Sequence, residues 1–273
     1  MYETFDYDKT VTKMRRFFKD AKDFIEVPTQ SRLSILAACE DPNTIAQFYF
    51  DEVNYPLPQT GQMWLEHELL NNPDTKGFFC ISTSYRNEPN PIDGRHKKIF
   101  PMFEFETKGD MKDMIKLEEE LLDFLGFEKD SVHCTYDGLS ERYQTDILEA
   151  EHEELMNKQI SSKLFLRDFP KRTHPFWNMK EDIVKCIFNK VDVILHGQET
   201  IGSAERSCDK DAMRYNFLNQ TDGAYANLLF SKFTKERVMK ELDEFLTHDF
   251  FPRFGGGIGV TRMARAMKLE GLI

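Results

Sequence analysis

Residues 85–106, YRNEPNPIDGRHKKIFPMFEFE, combine charged, aromatic and loop-forming residues in an order that could bind a nucleotide. Arg86 and Glu88 precede a loop with proline and glycine, and aromatic residues alternate with Glu104 and Glu106 after it. A planar guanidinium can hold a phosphate oxygen, and a phenylalanine ring can stack on a purine base. The alternative is an amphipathic hairpin whose charged residues form cross-strand ion pairs.

The loop between these two segments carries further candidates. Arg95 and His96 could close over the distal phosphates of a bound nucleotide, and Phe100 or Phe103 could supply the stacking ring. These residues extend the prediction from one phosphate to a whole nucleotide.

A second cluster lies in VDVILHGQETIGSAER. Asp192 and Glu199 stand on either side of a turn-like HGQ, and Arg206 follows further along the chain. Two carboxylates near an arginine suit Mg²⁺ and an anionic ligand. A pair of strands joined by a structural salt bridge explains the same residues equally well.

Two further segments carry weaker signals. FGGGIGVTRMARAM places three glycines before a helix that contains Arg262, and a helix start favours anions, although many glycine-rich segments are only tight turns. LPQTGQMWLEHELL places Gln59, Gln62 and Glu66 on a turn and a helix, where they could bind a polar substrate or simply face solvent.

Hydrophobic periodicity predicts the elements that position these residues. Helices are predicted near 11–21, over 108–126 with Gly126 as its C-terminal cap, near 145–158, over 234–246 and after GGGIG. Strands are predicted at FIEVPT and at 45–53, 77–86, 100–107, 163–169, 190–197 and 199–207, with the pair around the 89–97 loop antiparallel. The expected fold class is α+β, an antiparallel sheet flanked by helices, in one domain over 1–273.

Composition restricts the class of protein. The chain has 36 basic and 47 acidic residues, a net charge of −11, which opposes sequence-independent binding to nucleic acid and requires a local basic patch for an RNA partner. Its five cysteines include no Cys-x-x-Cys pair, and no apolar run is long enough to span a bilayer. A cytoplasmic protein without a membrane partner is expected.

Taken in order, the segments resemble the catalytic domain of class II aminoacyl-tRNA synthetases, in the subgroup for aspartate, asparagine and lysine. FFKDAKDFIEVPT resembles the first signature, which forms the dimer interface in that family, so a homodimer is implied. YRNEPNPIDGRHKKIF resembles the second signature, and GGGIGVTR resembles the third. PQTGQMWLE and the two segments LFLRDFPKRTHPFW and VDVILHGQETIGSAER are most similar to asparaginyl-tRNA synthetases.

The resemblance implies ATP and Mg²⁺ as ligands. By this resemblance the nucleotide residues are Arg86 at the α-phosphate, Glu88 on the adenine side, Arg95 or His96 at the γ-phosphate, Phe100 at the adenine ring and Arg262 at the triphosphate tail. The metal residues are Glu199 and Asp192, and the amino acid residues are Arg206, Gln59, Gln62, Leu65 and, for the α-amino group, Glu40. Leu65 stands where aspartyl enzymes have a lysine, which indicates an uncharged substrate side chain such as that of asparagine, or a rearranged pocket.

Several positions differ from the pattern of that family. Ile99 stands where glutamate is usual, Gly202 stands at a metal-binding serine of aspartyl enzymes, and Glu205 stands at a common glutamine. These differences leave the choice between aspartate and asparagine open. The chain also begins at the first signature, so the family's N-terminal anticodon-binding barrel is expected to be absent.

The predicted function is an ATP-dependent ligase that converts an asparagine-like or aspartate-like amino acid to an aminoacyl-adenylate. Free-standing cores of this kind include ammonia-dependent asparagine synthetases, and the acidic charge favours such a small or non-tRNA acceptor. Two alternatives are aminoacylation of tRNA through its acceptor stem, with a local patch of basic residues, and a non-catalytic paralogue that acts as a regulatory or binding module.

Overall fold

The fold is organised around one large mixed β-sheet, seen in a computed structural model that describes residues 3–30, 32–35, 44–92, 95 and 97–273. The strands are β1 (Ile25–Glu26), β2 (Gln47–Phe50), β3 (Val53–Pro56), β4 (Gly77–Tyr85), β5 (Ile99–Lys108), β6 (Val132–Thr135), β7 (Lys163–Pro170), β8 (Glu181–Asp182), β9 (Ile187–Leu195), β10 (Gln198–Glu205) and β11 (Arg253–Gly259). The helices are α1 (Thr4–Arg15), α2 (Gln62–Asn71), α3 (Met111–Leu125), α4 (Tyr136–Tyr143), α5 (Ala150–Gln159), α6 (Lys210–Asn219), α7 (Ala224–Phe233), α8 (Lys235–Phe245) and α9 (Val260–Leu269).

The strand order of the large sheet is β1-β4-β5-β11-β10-β9-β7-β6, and β8 pairs with β9. The pairs β1–β4 and β6–β7 at the two ends are parallel, and the pairs between them are antiparallel. The predicted antiparallel pair on either side of the 89–97 loop is confirmed as β4 and β5. The α+β class predicted from the sequence is therefore confirmed.

Alternation along the central strands separates an apolar face from a polar one. In β5, Phe103 and Phe105 are buried in the largest apolar cluster, which also contains residues of α1, α3 and α9. Glu104 and Glu106 point to the opposite face, because successive side chains of a strand alternate. The same alternation in β9 buries Val191 in the apolar cluster and leaves Asp192 on the polar face.

The glycine-rich segment is a strand and not the tight turn considered from the sequence. Gly255 pairs with Glu106 and Gly257 pairs with Glu104 across the β11–β5 ladder. A Cβ atom at Gly255 would overlap the Glu106 carboxylate and would lie 2.5 Å from the Gln62 Nε2 atom. Glycine is needed here because the polar side chains of the neighbouring elements fill the space above the strand.

The helix predicted over 108–126 is confirmed as α3. Asp110 accepts hydrogen bonds from the backbone N–H groups of Lys112 and Asp113, and Asp113 completes a capping box. Gly126 ends the helix with a φ of 106°, a conformation that favours glycine.

Three parts of the chain differ from the sequence prediction. The strand predicted at 45–53 is interrupted by Asp51 and Glu52, whose φ angles of 47° and 62° form the turn of the β2–β3 hairpin. The helix predicted near 145–158 begins later, at Ala150. The elements that the sequence reasoning did not assign are β6, β8, β11, α4, α6 and α7. Within the part of the chain that the structure describes, no helix is both long and apolar enough to cross a bilayer.

Candidate active site

A cavity of about 730 Å³ lies on the polar face of the sheet. Predicted site residues from the second and third signature-like regions, and from the two segments around Gln62 and Asp192, line it: Gln62, Arg86, Glu88, Arg95, Phe100, Asp192, Glu199, Arg206 and Arg262. The structure thus brings together residues that lie up to 200 positions apart in the sequence, on one surface. Their individual roles stay predictions.

Other predicted site residues do not line the cavity. Leu65 is fully buried in an apolar cluster with Leu69, Phe78 and Cys80, so its placement differs from the predicted substrate contact. Gln59 is buried and donates to the Thr44 hydroxyl at 2.7 Å. The predictions for Glu40 and His96 lie outside the described residues.

Glu205, which stands at a common glutamine of the family pattern, does not line the cavity. Its carboxylate accepts hydrogen bonds from the Met111 backbone N–H at 3.2 Å and the Asn189 side-chain amide at 2.7 Å. It therefore faces α3, on the opposite side of the sheet from the cavity, where it stabilises the start of that helix.

Arg86 follows directly after β4 and stacks against Phe100. The Arg86 backbone N–H donates to the Lys98 carbonyl at 2.8 Å, which continues the β4–β5 pairing past the end of the strand. The guanidinium carbon lies 5.1 Å from the centre of the Phe100 ring. The aromatic ring attracts the cation, and this contact orients the Arg86 guanidinium beside Phe100.

Glu104 connects β5 to the start of α2. Its carboxylate accepts hydrogen bonds from the Gly61 backbone N–H at 2.9 Å, from the Ser82 hydroxyl at 2.6 Å and from the Thr60 hydroxyl. A carboxylate at a helix N-terminus satisfies backbone donors that have no partner within the helix. Glu104 therefore fixes α2, which carries Gln62 to the cavity.

Arg206 is held between two buried glutamates. Its Nε atom lies 3.4 Å from Glu106 Oε1 and 3.7 Å from Glu66 Oε1. Gln62 donates from its side-chain amide to the other oxygen of Glu106. Burial raises the pKa of Glu106, and the Arg206 charge opposes that rise. The guanidinium of Arg206 is thereby oriented before any ligand arrives.

A second buried ion pair supports this arrangement. Arg253 donates to Glu66 Oε2 from Nε at 3.2 Å and from Nη2 at 2.8 Å, and Asn178 donates to Glu66 Oε1 at 2.7 Å. The sequence reasoning assigned Glu66 to substrate binding or solvent, and the structure pairs it instead with side chains of the core. Arg253 lies 187 positions from Glu66, so no local pattern indicated this pair.

Asp192 and Glu199 face the same small space above Gly202. A Cβ atom at Gly202 would lie 2.9 Å from Glu199 Oε1 and 3.5 Å from Asp192 Oδ1. A β-bulge between Glu199 and Ile201 shifts the register of β10 against β9, so Glu199 shares a face with Gly202 despite their odd spacing. The predicted proximity of the two carboxylates therefore depends on the bulge.

Lys190 is a residue of this site that the sequence reasoning missed. Its ammonium group lies 2.7 Å from Asp192 Oδ2 and 3.8 Å from the centre of the Phe169 ring. Burial raises the pKa of Asp192, while Lys190 lowers it and Glu199 raises it. Lys190 lies two residues before Asp192, so the two side chains lie on the same face of β9. This spacing is the signal in the sequence that could have revealed Lys190.

The residues present suit a Mg²⁺ ion held jointly with phosphate oxygens. Asp192 Oδ1 is buried and has no hydrogen-bond partner among the described residues, and it faces Glu199 Oε1 across Gly202. Magnesium is commonly held by one or two carboxylates together with substrate phosphates. Among the described residues, no group of three or more His, Cys, Asp or Glu side chains could hold a metal ion.

The turn between β9 and β10 gathers three arginines at one end of the site. Backbone carbonyl groups of this turn and of the start of β10 each accept from an arginine side chain: His196 from Arg265 at 3.2 Å, Gly197 from Arg95 at 3.2 Å and, in β10, Glu199 from Arg262 at 2.7 Å. Arg95 and Arg262 line the main cavity, as does Arg86. The cavity can therefore bind an extended anion, because several guanidinium groups border one space.

Comparisons with known proteins indicate the family of this chain. The family described as tRNA synthetases class II (D, K and N) matches residues 1–271. The chain is 23% identical to an aspartate–tRNA(Asp/Asn) ligase of Aeropyrum pernix over 98% of its own length and 65% of the relative's length.

Solved structures show the same fold. Asparaginyl-tRNA synthetase of Pyrococcus horikoshii, in its complex with asparaginyl-adenylate, gives a TM-score of 0.78 at 19% identity over 97% of this chain and 65% of that chain. Asparaginyl-tRNA synthetase of Entamoeba histolytica, also with asparaginyl-adenylate, gives a TM-score of 0.77 at 18% identity over 97% of this chain and 63% of that chain. The chain thus spans about 65% of the length of the curated relative and of the first of these structures. Since the family match extends over nearly every residue, this chain belongs to the class II tRNA synthetases of the aspartate, lysine and asparagine group.

Proposed function

We propose that this protein activates aspartate or asparagine with ATP to form an aminoacyl-adenylate. In this reaction a carboxylate oxygen of the amino acid attacks the α-phosphorus. The bond from that phosphorus to the bridging oxygen breaks, and pyrophosphate leaves with the electron pair. The observation that carries the proposal is the single cavity that joins Arg86 and Arg262 with the carboxylates of Asp192 and Glu199.

The chemistry requires positioning and positive charge more than covalent help from the protein. Arg86, stacked on Phe100, is proposed to bind the α-phosphate, where charge develops as the carboxylate attacks. Arg262 and Arg95, anchored at the β9–β10 turn, are proposed to bind the distal phosphates. Glu88 is proposed on the adenine side, since it lines the same cavity.

Asp192 and Glu199 are proposed to hold Mg²⁺, which would neutralise charge on the phosphates when bound. Arg206 and Gln62 are proposed to contact the amino acid, because both line the cavity and a buried network orients both. A guanidinium can receive either the carboxylate of aspartate or the carbonyl oxygen of asparagine. The amino acid that supports exchange of pyrophosphate into ATP distinguishes aspartate from asparagine.

For the acceptor we propose ammonia or another small amine, because the net charge of −11 opposes binding of a polyanion. The similar proteins favour a second candidate, transfer to tRNA, since the ligase and the two synthetases described above are all named for tRNA. A homodimer is proposed from family membership, with α1 and β1 at the contact. In agreement, β1 lies at the end of the strand order, and Ile25 is 49% exposed.

Exchange of labelled pyrophosphate into ATP tests the activity directly. Wild-type protein is expected to catalyse exchange with aspartate or asparagine, and Arg86→Ala is expected to abolish it with the fold intact. Arg214→Ala is the matched control, because Arg214 is an exposed arginine paired with Asp243 on the surface. Absence of exchange with each of the twenty amino acids would favour a non-catalytic binding module.

Product analysis of the charged enzyme then separates the acceptors. The loaded protein is incubated with ammonia, with other amines and with total tRNA. Formation of asparagine from an aspartyl-adenylate supports the small acceptor, and labelled tRNA supports the second candidate.

In the exchange assay, a near-normal rate of pyrophosphate exchange by Arg86→Ala would refute the role given to Arg86.

A further inference from the structure

Arg95 has a carboxylate partner at the edge of the cavity. Its Nη2 atom lies 2.5 Å from Oε2 of Glu153 on α5, and its Nη1 atom donates to the Gly197 carbonyl at 3.2 Å. Both side chains are largely buried, with 9% of Arg95 and 17% of Glu153 exposed. A charge-assisted contact with little access to water is stronger than the ion pairs at the protein surface. Arg95, the proposed phosphate-binding arginine, is therefore already paired with the Glu153 carboxylate.

Glu153 has a second contact that fixes its own position. The same oxygen that pairs with Arg95 accepts a hydrogen bond from the Glu199 backbone N–H at 2.6 Å. Glu199 begins the bulge that brings its carboxylate over Gly202. Glu153 thus joins α5, the arginine between β4 and β5, and the strand that carries a proposed metal ligand.

A nucleotide bound at Arg95 would bring negative charge next to the Glu153 carboxylate. The Glu153 carboxylate is largely buried, and Arg95 is the cation that pairs with it. Phosphate oxygens beside Arg95 would add negative charge next to a carboxylate that is already poorly solvated. Arg95 cannot keep its short contact with Glu153 and bind a phosphate without bringing these like charges together.

We propose that Glu153 competes with the distal phosphates of the nucleotide for Arg95. It is a positioning residue: it acts through Arg95 and sets how tightly the nucleotide binds. On binding, Arg95 exchanges the carboxylate for phosphate, and Glu153 stays attached to the Glu199 backbone. This inference rests on the proposed function, because it takes ATP as the ligand of the cavity.

Calorimetric titration with ATP and Mg²⁺, without amino acid, tests the competition. Glu153→Gln removes the negative charge but keeps an oxygen that can accept from the Glu199 N–H. The variant is expected to bind ATP roughly 3- to 10-fold more tightly than wild type, the ratio that corresponds to the net contribution of one typical hydrogen bond. Glu154→Gln is the matched control, since Glu154 is the exposed neighbour on the same helix and pairs with Lys158 at 3.8 Å.

A double variant shows whether the effect passes through Arg95. Adding Arg95→Met to Glu153→Gln is expected to remove the gain in affinity. Unchanged or weaker ATP binding by Glu153→Gln, in a protein whose thermal melting matches wild type, would overturn the competition. Persistence of the gain in the double variant would overturn the role of Arg95. A wild-type protein that binds no ATP would instead overturn the proposed function.

Limited digestion with trypsin tests the contact without any nucleotide. Trypsin requires access to the arginine side chain, and Glu153 holds that of Arg95 in a buried ion pair. Glu153→Gln is expected to increase cleavage after Arg95 at least several-fold relative to cleavage after Lys97 and Lys98 in the same sample. Equal cleavage ratios in wild type, Glu153→Gln and Glu154→Gln would show that Glu153 does not restrain Arg95.

Discussion

Replacing Glu118 by glutamine is expected to stabilise the protein, and to do so more strongly as the pH rises. Glu118 lies on α3 among the apolar residues Met114, Leu117 and Leu121, and it is 1% exposed. Neither carboxylate oxygen has a hydrogen-bond partner among the described residues. The nearby Ser203 hydroxyl donates instead to the Val191 carbonyl at 3.3 Å. Glutamine has the same shape and no charge to bury.

The size of the effect follows from the shifted pKa of Glu118. Burial raises this pKa from 4.5 to about 8, so the folded protein keeps a proton that the unfolded chain releases. A group with a raised pKa in the folded state contributes full stability below 4.5 and loses it as the pH rises through about 8. At roughly 1.4 kcal/mol per pH unit, this loss is about 3 kcal/mol at pH 7 and about 1 kcal/mol at pH 5. Glu118→Gln removes the loss, because glutamine does not titrate.

Urea denaturation of wild type and Glu118→Gln at pH 5, 6 and 7 measures this difference. The free energy of unfolding of the variant is expected to exceed that of wild type by an amount that grows over this range. Other carboxylates titrate in both proteins and therefore largely cancel in the comparison. Glu119→Gln is the matched control, because its side chain is 41% exposed and pairs with His133 at the surface. A difference between wild type and Glu118→Gln that does not change with pH would refute the reasoning.

Three further predictions follow from other parts of the structure. Gly255→Ala is expected to lower the free energy of unfolding by about 1–3 kcal/mol, measured by urea denaturation, because the new methyl group would overlap the Glu106 carboxylate; an unchanged value would contradict the close packing. Lys190→Met is expected to bind Mn²⁺ several-fold more tightly in calorimetric titration, because the ammonium beside Asp192 repels a divalent cation; weaker binding would contradict this charge argument. His67, whose pKa burial lowers from 6.5 to about 4, is expected to make the protein less stable as the pH falls below about 6.5, because the unfolded chain takes up the proton first. This part of the pH dependence should disappear in His67→Gln, measured by thermal melting between pH 7 and pH 4.5, and its persistence would exclude His67 as the cause.

The central strands could be predicted because their pattern is local. FPMFEFET alternates regularly, and the structure buries Phe103 and Phe105 on one side of β5 and turns Glu104 and Glu106 to the other. The hairpin formed by β2 and β3 was missed because strand-forming residues lie on both sides of its turn, Phe48 to Phe50 before it and Val53 after it. Its turn is made by Asp51 and Glu52, which are not the usual asparagine–glycine signal.

The candidate site was predicted in part. Residue type and order indicated Arg86, Asp192, Glu199 and Arg262, and the structure places them around one cavity. The partners of these residues were not predicted. Leu65, assigned to the substrate from its position in a resembling segment, lies instead in an apolar cluster with Phe78, although Gln62, less than one helical turn earlier on α2, lines the cavity. Spacing in the sequence shows which residues share a face of a helix, but it does not show which neighbouring element that face contacts.

By itself, the sequence determined which residues alternate on the strands, where α3 is capped and which side chains could bind a polyanion, since these depend on bonded neighbours and on chemical type. Only the tertiary structure decided that a bulge turns Glu199 towards Asp192, that Glu153 holds Arg95 from 58 positions away, and that the Glu118 carboxylate is buried without a hydrogen-bond partner among the described residues. The physical reason is that strand register, burial and ion pairing depend on how distant elements pack, and packing is not encoded in the spacing of a single segment.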